Sequence, residues 1–484
     1  MGNSKMQNLE HTDHEPAQGS GDQPLYVGRK RIHPKLVHGF YRNVKWLVLA
    51  MTLAVYYALP WLRLDRGPNA PDQALLFDFV NRKFYIFWLE FWPQEVFYLT
   101  GVLIISALLL FLLTSLFGRV WCGYTCPQTV WTDLFIFVER LVEGDRNARI
   151  KLDRSPMGFG KFGRRALKHF IWVLIAIATG GAFVFYFRDA PTLAMELLDG
   201  SAPLVAYVFV GIFAATTYLL GGLAREQVCI YMCPWPRIQG AMFDENSLLV
   251  TYKDYRGEPR GKHHQGDSWE GRGDCIDCKQ CVVVCPMGID IRDGAQLECI
   301  QCALCIDACD SIMEKIDRPK GLIAYDTTAN LERGARGEAT KMPKILRPRT
   351  IVYVTLMALV AVLMSWALMG RDSLHVNVLP DRQPLFVTLS DGSIRNGYTL
   401  KLINREHQDV ELLISAEGVD GARLKVVGYD GNNVSVGADS LLSVRVLVEA
   451  PKPADQRTDM ILEVRNPALG VVVPYETAFR GPGR

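Results

Sequence analysis

The run Cys275-Ile276-Asp277-Cys278-Lys279-Gln280-Cys281-Val282-Val283-Val284-Cys285-Pro286 is followed shortly by Cys299-Ile300-Gln301-Cys302-Ala303-Leu304-Cys305-Ile306-Asp307-Ala308-Cys309. Both runs space their cysteines C-x-x-C-x-x-C-x-x-x-C, the pattern of a two-cluster ferredoxin. Two residues between cysteines let successive turns present three thiolates to one [4Fe–4S] cluster, and the fourth cysteine of each run reaches across to the other. Cys275, Cys278, Cys281 and Cys309 are therefore expected to hold one cluster, and Cys299, Cys302, Cys305 and Cys285 its neighbour. Asp310 stands where the second run would repeat the proline, outside the ligand shell. Zinc ribbons also use C-x-x-C pairs, but two matched quartets with this spacing are not a zinc pattern. Upstream lies a polar, Gly-rich linker over 254–273, whose His263 and His264 suggest no role.

The chain has 484 residues, 12 cysteines, 49% hydrophobic and 21% charged residues, and a net charge of +2. Its length allows two or three domains, and its small charge gives no reason to expect nucleic acid as a partner. All the cysteines fall between Cys122 and Cys309 in tight groups, which speaks for reduced, metal-binding thiols rather than a disulfide framework.

Five stretches are long and apolar enough to span a bilayer, at about 43–63, 96–118, 169–187, 203–223 and 350–370. The aromatic stretch over 84–92, with Glu90 inside it and Pro93 and Glu95 just beyond, reads as an interfacial or re-entrant segment. The first span follows a polar tail, so it reads as a retained anchor. Basic residues gather in that tail (Arg29, Lys30, Arg31, Lys35, Arg42, Lys45), in the loop from Arg119 to Lys168, and before the fifth span (Lys341, Lys344, Arg347, Arg349). The loop between the third and fourth spans has Arg188 alone against Asp189, Glu196 and Asp199. By the positive-inside rule the N-terminus and every cysteine group face the cytoplasm, and the C-terminal domain lies outside, in the bacterial periplasm. The expected divisions are a tail (1–42), a four-span membrane domain (43–250), a ferredoxin-like α+β domain (251–349), a fifth span (350–370) and an outer domain (371–484).

Beyond the fifth span the hydrophobic period becomes two. Strands are expected near 385–389, 398–403, 410–414, 423–427, 441–448, 460–464 and 471–479, separated by Gly, Asp and Asn clusters. Seven short strands in this length suggest an immunoglobulin-like β-sandwich, without the Cys…Trp…Cys signature. It has no catalytic constellation. His375, His407 and Met460 are possible copper contacts, each better explained as an ordinary surface or core residue.

The remaining four cysteines form a repeat. Cys122-Gly123-Tyr124-Thr125-Cys126-Pro127 follows the second span and Cys229-Ile230-Tyr231-Met232-Cys233-Pro234 the fourth, both reading C-x-Y-x-C-P. In a local helix the two cysteines would share a face, with Cβ atoms about 5–6 Å apart, and the proline would end the turn. Thiolate pairs suit Cu(I), and two pairs brought together would offer up to four sulfurs. Small buried residues at a helix–loop junction are the bland alternative, which repetition at equivalent positions makes the weaker of the two.

The run Gly118-Arg119-Val120-Trp121-Cys122-Gly123-Tyr124-Thr125-Cys126-Pro127-Gln128-Thr129-Val130-Trp131, the second C-x-Y-x-C-P element, the run Cys285-Pro286-Met287-Gly288-Ile289-Asp290-Ile291-Arg292 and the C-terminal β-domain together resemble the FixG/RdxA (CcoG) family of cytochrome c oxidase accessory proteins. The resemblance spans nearly the whole chain. It implies an inner-membrane iron–sulfur protein that serves assembly of a cbb-type oxidase by reducing Cu(II) to Cu(I). It also implies that Cys122, Cys126, Cys229 and Cys233 handle the copper, with oxidase subunits or copper-delivery proteins as partners and an unidentified cytoplasmic electron donor. Two other readings fit the motifs: a quinol-linked membrane ferredoxin feeding a respiratory reductase, and a non-enzymatic copper-binding scaffold.

Overall fold

The computed structural model describes residues 31–482 except 68–69, 265, 372–373, 407, 454 and 469. Among the described residues five helices are long and apolar enough to cross a membrane: Phe40–Trp61, Val96–Phe117, Phe159–Val184, Leu204–Ala224 and Pro348–Met369. The third starts ten residues before its apolar stretch, because the basic run Lys161–Lys168 continues the helix beyond its hydrophobic part. The second span packs on the fifth and the third on the fourth. Gly180 lets the last pair touch backbone to backbone, since a Cβ there would lie 2.6 Å from the Val210 carbonyl oxygen.

One end of this bundle carries every cysteine. The other carries two β-structures. The first is a small antiparallel meander of β1 (Leu75–Asp78), β2 (Lys83–Ile86) and β3 (Leu89–Phe91). The stretch read as interfacial or re-entrant is thus strand and turn: Tyr85 turns inward, and Phe87, Trp88 and Leu89 stay exposed. At the cysteine end, β4 (Leu249–Tyr252) pairs with β5 (Ile323–Asp326) under the ferredoxin-like runs.

Among its described residues the C-terminal domain has nine strands, where the sequence suggested seven or so. They are β6 (Leu374–Pro380), β7 (Val387–Thr388), β8 (Ile394–Asn404), β9 (Val410–Glu417), β10 (Arg423–Val426), β11 (Asn433–Val436), β12 (Ser440–Ala450), β13 (Arg457–Asn466) and β14 (Val471–Arg480). Two antiparallel sheets, ordered β10-β12-β8-β6 (with β7 on β8) and β11-β9-β13-β14, face each other across a Val- and Leu-rich core. The sequence reading missed β6, which directly follows the fifth span, and β11, which lies against the Asp-Gly-Asn turn signal. Met460 is a core residue at 1% exposure. His375 sits in β6, and His407 lies outside the described residues. Glu95, at the start of the second span, ties the sandwich to the bundle through Arg371 at 2.8 Å and Arg405 at 3.1 Å.

A buried ionic network underlies the cysteine end. Asp133 on helix Pro127–Glu143 binds Arg42 of the first span at 2.9 Å. Glu139 on the same helix meets Arg149 at 2.7 Å, Lys168 of the third span at 3.5 Å and Arg225 at 2.5 Å. Arg225 precedes the second C-x-Y-x-C-P element and helix 127–143 follows the first, so this carboxylate joins the two motifs. Glu139→Ala would leave the buried Arg149 without its carboxylate and take the same anion from Arg225, while Lys168 keeps Glu143 at 3.0 Å. The change is expected to destabilise the protein by about 3–5 kcal/mol, read as a fall in thermal unfolding temperature in detergent. Burial alone would raise the Glu139 pKa, but Arg225, Arg149 and Lys168 outweigh it and hold it at about 2. Its contribution is therefore complete above pH about 4.5 and is lost as pH falls towards 2. Thermal unfolding followed between those limits should lose less stability in a Glu139→Gln protein than in the parent.

Candidate metal centre

Each ferredoxin-like run bends through left-handed residues at matching positions. Asp277 and Lys279 have φ of 53° and 57°, and Gln301 and Ala303 have 55° and 59°. Non-glycine residues adopt this conformation only where surroundings impose it, at about 1–2 kcal/mol each. Its repetition in both runs marks a shared purpose: it curls the thiols around a centre.

Cys275, Cys278, Cys281 and Cys309 line one cavity, walled by Ile312, Met313, Leu322 and Ile323. Cys281, Cys285, Cys299, Cys302 and Cys305 line a second, walled by Val250, Ile291, Ile300 and Leu304. Cys281 borders both cavities, so the two are neighbours. All twelve cysteines are free thiols. Burial pushes Cys281, Cys285 and Cys309 up to about 12 and Cys299 to about 11, so dry thiols await a positive centre that favours thiolate. Among the described residues no three His, Cys, Asp or Glu side chains converge on a single metal ion. Thiols ringed around a cavity without meeting at one point fit a polynuclear iron–sulfur group.

The two C-x-Y-x-C-P elements come together beside the second cavity. Cys122 lies in helix Val120–Tyr124, and Cys126 is the N-cap of Pro127–Glu143. The proline thus ends one turn by opening the next helix, where it is well tolerated. The second element is wound differently. Val228–Met232 is a π-helical turn, closed by the Cys233 amide bonding the Val228 carbonyl at 2.8 Å. Burial raises Cys122 and Cys229 to about 12. Charges on Cys126, Cys229 and Cys233 all bear on Cys122, which places the four thiols in one neighbourhood. They do not converge on a single ion, so the four-sulfur site offered by the sequence stands as two adjacent dithiols.

Residues without motif status assemble this region. Gln239, wholly buried, accepts the Cys122 thiol at 3.3 Å and donates to Thr114 at 3.2 Å. Gln128 donates to the carbonyls of Leu220 and Arg225 at 2.8 and 3.0 Å, bracing the broken end of the fourth span. Asp307, inside the second cysteine run, accepts the backbone amides of Tyr41 and Arg42 at 3.2 and 2.7 Å. A carboxylate so placed caps the first span and complements its dipole. Gly123 brings the first element against the second run: a Cβ there would stand 2.8 Å from the Ile300 oxygen and 3.1 Å from the Cys302 Cα. Cys122 and Cys229 accordingly pack in one apolar cluster with Cys285 and Cys302. In the linker, His263 stacks on Trp269 at 4.0 Å rather than standing free in solvent.

Comparison with known proteins agrees with these features. A family described as "4Fe-4S dicluster domain" matches residues 224–328, one described as "4Fe-4S binding domain" matches 99–143, and one described as "IG-like fold at C-terminal of FixG" matches 364–482. Thiol-lined cavities joined to apolar spans, with these matches, define a membrane iron–sulfur electron-transfer protein. The chain is 48% identical over 494 residues to nitrogen fixation protein FixG of Rhizobium meliloti, covering 95% of this chain and 94% of that protein. It is 50% identical over 466 residues to protein RdxB of Cereibacter sphaeroides, covering 95% and 98%. Protein RdxA of the same organism is 47% identical over 468 residues, covering 95% and 99%. The chain belongs to the FixG/RdxA/RdxB family.

Proposed function

We propose that this protein reduces Cu(II) to Cu(I) at its paired dithiols, in support of cbb-type oxidase assembly. The observation that carries the proposal is the contact between Gly123, next to Cys122, and the backbone of Cys302 in the second thiol-lined cavity. Cys275, Cys278, Cys281 and Cys309 are assigned to one [4Fe–4S] cluster, and Cys285, Cys299, Cys302 and Cys305 to the other. When bound, such clusters supply one-electron redox chemistry.

The chain's own residues do the rest. Cys302 and Gly123 bring the second cavity to the dithiols without an intervening side chain. Cys122, Cys126, Cys229 and Cys233 take copper as substrate, releasing thiol protons as they bind. Each Cu(II) gains one electron and leaves as Cu(I), the ion that soft thiolates favour. The cysteine end faces the cytoplasm of a bacterial inner membrane, where thiols stay reduced, and the β-sandwich faces the periplasm. There it is suited to meet an oxidase subunit or a copper-delivery protein. A cytoplasmic donor supplies the electrons.

The test is direct. Anaerobic protein, reduced and freed of reductant, is mixed with Cu(II) and a Cu(I)-specific chelator. Cu(I) should form in proportion to the electrons stored. Copper that binds while the reduced iron–sulfur spectrum stays unchanged would instead mark a scaffold.

A further inference from the structure

Between the second thiol-lined cavity and the dithiols lies a buried cation that no motif requires. Arg119 is 2% exposed. Its guanidinium donates to the carbonyl oxygens of Leu297, of Cys299 at 3.2 Å and of Pro236 at 2.6 Å. Its backbone amide donates to Gln301 at 2.8 Å. The side chain therefore ties together the first C-x-Y-x-C-P element, the helix after the second, and the loop that leads into Cys299.

All of these partners are neutral. Among the described residues Arg119 forms no ion pair, and its Nε is buried without a hydrogen bond. Of the groups whose negative charge bears on it, the sulfurs of Cys122 and Cys299 come ahead of Glu298. A buried guanidinium without a counter-ion is costly unless negative charge is close by. Thiolates on both sides supply that charge once they hold metal.

We infer that Arg119 is the shared counter-charge of the two sulfur sites, raising the reduction potential of the iron–sulfur centre held by Cys285, Cys299, Cys302 and Cys305. The inference rests on the cluster assignment given above. A fixed positive charge beside a centre that becomes more negative on reduction stabilises the reduced form. The centre at Cys275, Cys278, Cys281 and Cys309 lies in the farther cavity and is touched by none of these bonds. Arg119 thus biases the electron towards the cavity that adjoins the dithiols. It acts as a positioning residue, through the potential rather than by contact with copper.

The experiment is a copper-free redox titration of the full-length purified protein, followed by electron paramagnetic resonance, with iron content measured in parallel. In Arg119→Gln, one of the two reduction waves should move to lower potential while the other stays in place. Arg119→Lys keeps the charge and should restore the wave towards its original position. Two unmoved waves in an iron-replete Arg119→Gln protein would overturn the inference, as would equal movement of both. If Arg119→Gln loses iron, Arg119→Lys decides: retained iron with an unmoved wave supports the counter-charge, and iron loss or a wave moved to lower potential overturns it. Copper plays no part in the titration, so a shifted wave in a protein that fails to reduce copper would refute only the copper proposal.

Discussion

Replacing Cys122 and Cys126 together by alanine, or Cys229 and Cys233 together, is expected to bring copper reduction down to background while leaving the iron content and the reduced iron–sulfur spectrum intact. The separation follows from the geometry. The ferredoxin-like thiols line their own two cavities, and none of the four membrane-edge cysteines lines either one. The two pairs nonetheless depend on each other. Gln239 lies just beyond the second element and holds Cys122 of the first, while Gln128 of the first braces the approach to the second. Either double substitution should therefore be nearly as damaging as all four changes together. Cu(I) capture by a chelator, run beside iron analysis, measures both quantities on one sample. Undiminished copper reduction in either variant would remove the dithiols from the proposed reaction.

The second large effect is expected at Gly123. A methyl group there would stand 2.8 Å from the Ile300 oxygen, 3.0 Å from the Gln301 oxygen and 3.1 Å from the Cys302 Cα, all backbone atoms that cannot swing aside. Gly123→Val must therefore push the membrane-edge element away from the second cavity. Displacements near 1 Å at a reacting site can cost about 10²-fold in rate. We expect a loss of that order in electron delivery from reduced protein to Cu(II), with the cysteines and the iron complement retained. Stopped-flow reoxidation by Cu(II) reads it directly. A rate equal to that of the parent would show that the electron does not pass through this contact.

The legible part of this chain was local. Ligand spacing in the two cysteine runs is a property of a dozen consecutive residues, and the left-handed turns at Asp277, Lys279, Gln301 and Ala303 carry it out in place. The five spans were legible because length and hydropathy are summed along the chain. Short strands were less so. β11 has only four residues and begins at Asn433, where the turn signal outweighed the pattern. The meander over β1–β3 was masked by aromatic residues that also suit a membrane interface. The winding of the second C-x-Y-x-C-P element was equally hidden: it repeats the first in sequence, yet it follows a span that ends in π-helical turns.

By itself, then, the sequence determined how cysteines are spaced in each run, how many segments can cross a bilayer, and that a β-rich domain follows the fifth span. Tertiary structure alone decided that the dithiols lie against the second cavity and that Gly123 meets Cys302. It also decided that an arginine without an ion-pair partner among the described residues sits between the two sulfur sites. Arg119 and Cys299 stand 180 positions apart along the chain. Periodicity and spacing report on neighbours in sequence, whereas a close approach over that separation depends on how spans and loops pack. That packing is what sets the membrane-edge thiols beside the second thiol-lined cavity.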